Sequence, residues 1–155
     1  IIKNLNFYNN LNAHIIWQCG KKQYENISLL QLNTNIKIYD FINDIDKVYS
    51  ASDLIISRSG ALTLSEINFF GKASILIPFP ASAGNHQYKN AIYSKNVNAA
   101  ILIKQKKLKN GDLESTINDL IKSSDNIIAM EKAAKSISTP DSMNIILNEI
   151  KTLLC

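Results

Sequence analysis

The sequence is poor in the residues that mark several classes of protein. It holds two cysteines, three prolines, five glycines and one tryptophan among 155 residues. Cys19 and Cys155 lie far apart, with no metal-type spacing, and predict free thiols in a reducing compartment. No apolar run approaches the roughly 20 residues that a membrane-spanning helix needs. The chain is therefore expected to have neither a disulfide framework nor a membrane span.

Arginine is the scarcest charged residue, because Arg58 is the only one among 17 basic side chains. Lysine can replace most surface arginines, though not one that is bidentate or stacked, so this residue is notable. The net charge is +4. The one dense basic run, lysines at 104, 106, 107 and 109, contains no interleaved aromatics. It predicts a solvated loop and no nucleic-acid partner.

The remaining composition is typical of a globular domain. Hydrophobic residues make up 46% and charged residues 19% of the chain, so disorder is not expected. The length predicts one domain over residues 1–155. The chain starts at Ile1 without a methionine or a signal-peptide pattern, and we interpret it as a piece of a longer protein.

Short apolar runs alternate with amphipathic stretches along the chain. The predicted strands are 14–19, 36–41, 54–57, 74–78 and 99–103. The predicted helices are 23–31, 45–51, 61–70, 87–95, 113–123, 126–136 and 143–154. Alternating strands and helices predict an α/β fold with a Rossmann-like, doubly wound parallel sheet, and the last three helices form a helical C-terminal tail.

The segment after the third predicted strand, residues 57–66, is the richest in chemistry. Small residues lead into a helix start, where backbone N–H groups and the helix dipole favour a phosphate. Thr63 adds a hydroxyl, and Glu66 can accept hydrogen bonds from a ribose diol. Alternatively, Ser59 caps the helix and Glu66 supports its first turn. The bare pattern favours this second, structural interpretation.

The segment after the fourth predicted strand, residues 78–90, is a loop that opens a helix. Gln87 and Asn90 lie one helical turn apart and share a face, and amide side chains suit sugar hydroxyls because they both donate and accept hydrogen bonds. The alternative is an ordinary loop with Asn85 as the N-cap. A lone histidine such as His86 is usually structural or exposed.

Together these segments resemble the C-terminal domain of the MurG family. These bacterial GT-B glycosyltransferases add N-acetylglucosamine to lipid I and so make lipid II. The resemblance is carried by SRSGALTLSE at 57–66, IPFP at 77–80 and NHQYKNA at 85–91. IWQCGK at 16–21 and YDFI at 39–42 agree with it, and the likeness extends from about residue 15 to about residue 103.

The resemblance implies specific roles for matching residues. Ile42 contacts uracil through its backbone, Glu66 holds the ribose hydroxyls, and Gln87 binds the N-acetylglucosamine hydroxyls. The sugar and diphosphate lie against the helix start, so the implied substrate-binding residues there are Ala61, Leu62, Thr63, Leu64 and Ser65. Possible additional contacts are Ser59, Gly60, Asn90 and Arg58, the last of which is equally suited to a structural role.

The resemblance also implies an inverting reaction, in which a lipid I hydroxyl attacks the anomeric carbon of UDP-N-acetylglucosamine and UDP leaves. It places a Gly-Gly-Ser-type diphosphate loop upstream of residue 1, with an N-terminal domain that carries the acceptor site, the general base and a membrane-contacting patch. This chain is thus expected to hold no catalytic residue and to be soluble and inactive alone. The whole protein is expected at the cytoplasmic face of the bacterial inner membrane, bound peripherally.

No cofactor and no protein-held metal are expected. Asp44 and Asp46 have Asp-x-Asp spacing, but they open the helix predicted after Ile42, where the helix dipole favours carboxylates. Two other functions stay open. One is a related GT-B transferase with another UDP-sugar or acceptor. The other is a stand-alone nucleotide-binding module.

Overall fold

The structure, a computed structural model, describes residues 2–139 and 141–154. By backbone contacts the chain divides into two compact units, Ile1–Ala51 and Ser52–Cys155. The expected grouping of residues 1–155 as a single domain stays a prediction. Cys19 is a half-buried free thiol, whereas Cys155 lies outside the described residues.

The first unit contains a short parallel sheet of two strands. Its elements are a 3-10 helix Ile2–Asn4, then α1 Leu5–Asn9, β1 Ile15–Gln18, α2 Lys21–Ser28, β2 Ile36–Tyr39 and α3 Ile45–Ala51. β1 pairs with β2 in parallel, with Ile15 opposite Ile36 and Gln18 opposite Tyr39. The Asn35 side chain donates hydrogen bonds to three backbone carbonyls between residues 8 and 13, which fixes the connection from α1 to β1.

The second unit contains a three-stranded parallel sheet in the order β3-β4-β5. Its first elements are β3 Leu54–Ser57, α4 Ala61–Phe70, β4 Ala73–Leu76, a 3-10 helix Ala83–Asn85, α5 His86–Asn96 and β5 Ala100–Leu102. A 3-10 helix Gln105–Asn110 leads to α6 Asp112–Ile121, α7 Ser124–Ser136 and α8 Ser142–Leu154.

The core of the second unit is centred on β4, of which all four residues are buried. Such a strand, covered on both faces, is typical of a parallel sheet with flanking helices. α7 packs against β4 and α4, while α5 packs against β5. The buried side chains of the helices, among them Ile67, Ile117 and Ala134, complete this core.

The α/β class with parallel strands, flanking helices and a helical C-terminal tail is confirmed. Within the described residues, the strands form a two-stranded sheet in the first unit and a three-stranded sheet in the second. Element boundaries shift by one to three residues in most cases. The basic run at 104–109 was predicted to be a solvated loop. Its four lysines are exposed as expected, and most of the run forms the 3-10 helix Gln105–Asn110.

The last helix, α8, differs from the others because none of its residues with a described side chain is buried. Its apolar side chains Met143, Ile146 and Ile150 are all about half exposed or more. Within the described residues, every helix is too short or too polar to cross a membrane.

Candidate functional site

The two sequence segments singled out for chemistry follow adjacent strands of one sheet. β3 and β4 pair in parallel, with Ser57 opposite Leu76. Their carboxyl ends therefore lie at the same edge, which is where open parallel sheets bind ligands. The loop after β3 leads into α4 at Ala61, and the loop after β4 leads into α5 at His86.

A fully buried serine joins these two loops. The Ser59 hydroxyl donates a hydrogen bond of 2.7 Å to the carbonyl oxygen of Gln87. The Asn90 side chain donates one of 3.2 Å back to the carbonyl oxygen of Ser59. The starts of α4 and α5 are thereby held together by two hydrogen bonds. These contacts place Ser59, Gln87 and Asn90 in one cluster.

The interpretation of Ser59 as the helix N-cap was wrong. Gly60 occupies the N-cap position of α4, with φ −66° and ψ 148°, and no side chain caps this helix. The hydrogen bond that the Ser59 hydroxyl makes is instead to the carbonyl oxygen of Gln87. The first N–H groups of a helix have no partner within the helix, so this end of α4 retains the anion-attracting character that its sequence predicted.

The Gln87 side chain is held to the protein through its oxygen atom. Its Oε1 accepts a hydrogen bond of 2.9 Å from the backbone N–H of Phe79, in the loop that follows β4. This contact orients the amide. Asn85 lies at the N-cap of α5 as expected, but with φ 59° and without a side-chain cap hydrogen bond. Gln87 and Asn90 do share a face, since both side chains reach the loops at this edge of the sheet.

The first turn of α4 presents both exposed and buried side chains. Ala61, Leu62 and Ser65 are exposed, with Leu62 at 75% of its full surface, and Thr63 is half-buried. Leu64 is buried in the core. Any contact of Leu64 with a ligand would therefore be made by its backbone and not by its side chain.

Glu66 is half-buried one helical turn further along α4. It lines a cavity of about 320 Å³ together with other residues of α4 and the connection from α7 to α8, namely Ser65, Asn68, Phe69, Phe70, Ile137, Ser138, Thr139 and Ser142. The lining of this cavity combines hydroxyl and amide side chains with the apolar side chains of Phe69, Phe70 and Ile137.

Arg58 contacts the loop after β4. Its Nη1 donates to the carbonyl oxygens of Ile77 at 3.0 Å and Pro78 at 3.2 Å. Its guanidinium carbon lies 5.5 Å from the centre of the Phe79 ring. Of the two roles that the sequence left open, these contacts support the structural one.

Ile42 lies in the first unit, just after β2. Its backbone N–H donates a hydrogen bond of 2.9 Å to Gln18 Oε1, at the end of β1. The Ile42 carbonyl is the backbone group that this contact leaves for a ligand.

Asp44 and Asp46 stand at the start of α3, where the Asp44 carbonyl accepts hydrogen bonds from the Lys47 and Val48 N–H groups. Within the described residues, no group of three His, Cys, Asp or Glu side chains is arranged to hold a metal ion.

Sequence reasoning missed two residues, Phe79 and Gln18. Phe79 belongs to a quoted motif, but only the fold shows that its N–H fixes Gln87. Gln18 is the last residue but one of the predicted strand 14–19, and its position opposite Tyr39 could have indicated contact with the loop after β2. In the second unit, a cavity of about 330 Å³ lies beside the loop after β4 and is lined in part by Tyr88 and Lys104. The Lys104 Nζ is 5.0 Å from the centre of the Tyr88 ring.

The fold and the two joined loops define an α/β, Rossmann-like domain with its candidate site at the carboxyl ends of parallel strands. Residues 2–145 match the glycosyltransferase family 28 C-terminal domain. The chain belongs to this family.

Curated relatives and a solved structure show the same relationship. The chain is 38% identical, over 99% of its length, to the UDP-N-acetylglucosamine–N-acetylmuramyl-(pentapeptide) pyrophosphoryl-undecaprenol N-acetylglucosamine transferase of Flavobacterium psychrophilum. It is 34% identical, over 95% of its length, to the protein of the same name from Listeria monocytogenes. The chain spans 42% of the length of each of these relatives.

The crystal structure of Acinetobacter baumannii MurG superimposes with a TM-score of 0.81 at 26% sequence identity. The match covers 94% of this chain and 44% of that one. The likeness therefore extends over nearly all of the present chain and over less than half of the known protein.

Proposed function

We propose that this chain is the nucleotide-sugar-binding part of a glycosyltransferase that converts lipid I to lipid II by inverting transfer of N-acetylglucosamine from UDP-N-acetylglucosamine. The observation that carries the proposal is the joining of the two loops at the carboxyl ends of β3 and β4 by Ser59, Gln87 and Asn90. This arrangement brings a helix start that favours a diphosphate next to an amide that suits a sugar.

Each part of the donor has a proposed partner. The diphosphate and sugar lie at the start of α4, against Ala61, Leu62 and Thr63. Glu66 accepts hydrogen bonds from the ribose hydroxyls, and Gln87 binds hydroxyls of the N-acetylglucosamine. The exposed N–H groups at the helix start and its dipole stabilise the leaving diphosphate, which is where negative charge develops in the transfer.

The uracil contact is proposed for Ile42, in the first unit. Because its N–H is held by Gln18, the carbonyl of Ile42 is the group that can accept a hydrogen bond from the imide N–H of the base. The flanking residues Leu64, Ser65 and Gly60 contribute backbone or small side chains near the diphosphate, in line with the family resemblance.

For the whole protein we propose lipid I as the acceptor and peripheral attachment to the cytoplasmic face of the bacterial membrane. The names of the two relatives describe transfer of N-acetylglucosamine to an N-acetylmuramyl-(pentapeptide) pyrophosphoryl-undecaprenol acceptor. The acceptor site and the general base are proposed to lie in the part of the relatives that this chain does not span. Residues 1–155 are proposed to act as one donor-binding domain.

Calorimetric titration of the chain with UDP-N-acetylglucosamine tests the proposal, with UDP-glucose and UDP-N-acetylgalactosamine as competitors of the same charge. We expect binding of all three through the UDP group, with UDP-N-acetylglucosamine the tightest. Preference for another UDP-sugar would indicate a related transferase with a different donor. Absence of binding to every nucleotide sugar would contradict a donor site in this chain.

A further inference from the structure

Arg58 is hydrogen-bonded to the same loop that holds the Gln87 side chain. The hydrogen-bond ladder between β4 and its neighbours ends near Leu76 and Ile77. The next two carbonyls, of Ile77 and Pro78, belong to buried residues and accept hydrogen bonds from Arg58 Nη1. Since buried carbonyl groups need partners, Arg58 supplies what the sheet no longer provides.

The residue that follows these two carbonyls is Phe79, whose N–H holds Gln87 Oε1. A continuous path of contacts therefore runs from Arg58 through the loop after β4 to the Gln87 amide. The guanidinium also lies over the Phe79 ring, at 5.5 Å from its centre. The bond to Oε1 fixes the orientation of the Gln87 amide, and with it the direction of the amide nitrogen, which can only donate.

We propose that Arg58 is a positioning residue that fixes the loop after β4 so that Gln87 presents its Nε2 as a hydrogen-bond donor to the sugar of the nucleotide-sugar donor. This inference rests on the proposed function for the identity of the ligand. It gives a reason why one of the 17 basic side chains is an arginine while the others are lysines. A guanidinium can donate in its plane to both carbonyls while its face lies over the ring, a geometry that the tetrahedral ammonium of lysine does not reproduce.

The first test does not depend on any ligand. Phe79 is 45% exposed, so the protection of its backbone amide against hydrogen exchange depends mainly on Gln87. We expect Gln87→Ala and Arg58→Lys each to speed exchange of this amide by about tenfold. Lys104→Ala, an exposed basic residue beside the same loop, serves as the control and leaves it unchanged. Normal protection of Phe79 in Arg58→Lys would overturn the proposal.

The second test measures binding of UDP and of UDP-N-acetylglucosamine to the same folded variants, checked by circular dichroism. In Arg58→Lys we expect the Kd for UDP-N-acetylglucosamine to rise about tenfold and the Kd for UDP to change less than about twofold. The double variant Arg58→Lys, Gln87→Ala should bind UDP-N-acetylglucosamine no more weakly than Gln87→Ala alone, because both changes remove the same contact with the sugar.

The outcomes separate the two proposals. Equal loss of UDP and UDP-N-acetylglucosamine affinity in Arg58→Lys would mean that the guanidinium acts on the nucleotide itself, and additive effects in the double variant would mean that it does not act through Gln87. Either result overturns the positioning role while the donor site stands. If the unaltered chain binds neither ligand, the proposed function fails, and Phe79 exchange still reports whether Arg58 fixes Gln87.

Discussion

The amide oxygen of Gln87 accepts a hydrogen bond of 2.9 Å from the backbone N–H of Phe79. The side chain expected to bind a sugar is therefore also a support for its own loop. A glutamine can do both because its oxygen and its nitrogen are separate groups, one accepting and one donating.

Gln87→Glu should separate these two functions. A carboxylate keeps an acceptor for Phe79 N–H but has no hydrogen to donate to the sugar. We expect the affinity for UDP-N-acetylglucosamine to fall by at least about tenfold, because the variant loses one hydrogen bond to the sugar and gains a negative charge near the diphosphate. Calorimetry measures this, with Gln23→Glu on the exposed face of α2 as the control for added charge. Unchanged affinity in Gln87→Glu would remove Gln87 from the site.

Glu66→Ala should weaken binding of UDP itself. Hydrogen bonds from a ribose diol to a carboxylate are charge-assisted and contribute about 1.5–3 kcal/mol, so we expect a loss of about 10-fold to 100-fold in UDP affinity. Two variants serve as controls. Glu149→Ala removes an exposed carboxylate from α8, and Lys104→Ala removes a positive charge beside the loop after β4. Neither should change UDP affinity by more than about twofold. Equal effects of Glu66→Ala and Lys104→Ala in calorimetry would count against the ribose assignment.

The sequence predicts the elements of this fold well because their signals are local. The apolar run at β4 and the period of α4 can be read directly from neighbouring residues. The partner of Ser59 could not be predicted, because its hydroxyl reaches Gln87, 28 residues along the chain. The local rule that a serine before a helix caps it was overridden by this tertiary contact. Gln18 was missed for the same reason, because its side chain bonds Ile42, 24 residues along the chain. The bond between Phe79 and Gln87 spans only eight residues, but it depends on the path of the loop between them.

Ser59→Ala should destabilise the second unit. Ser59 is fully buried, and its hydroxyl donates to the carbonyl oxygen of Gln87. Its removal loses one buried hydrogen bond, and we expect the free energy of unfolding to fall by about 1–2 kcal/mol. Urea denaturation monitored by circular dichroism measures the change. Ser65→Ala, at an exposed position of α4, should stay within about 0.5 kcal/mol of the unaltered chain. The joining of the two loops would be energetically unimportant if both variants unfolded at the same urea concentration.

Gly71→Ala should destabilise the chain more than Gly60→Ala, although both glycines flank α4. Gly71 ends the helix in the left-handed region at φ 62°, and a Cβ there would lie 3.1 Å from Lys135 Cβ on α7. Gly60 has φ −66°, and its added Cβ would meet no atom closer than 3.9 Å. We expect a loss of about 1–2 kcal/mol for Gly71→Ala and little change for Gly60→Ala. Thermal unfolding of the two variants measures the difference, and a larger loss for Gly60→Ala would show that the loop before α4 is more tightly constrained than its backbone angles indicate.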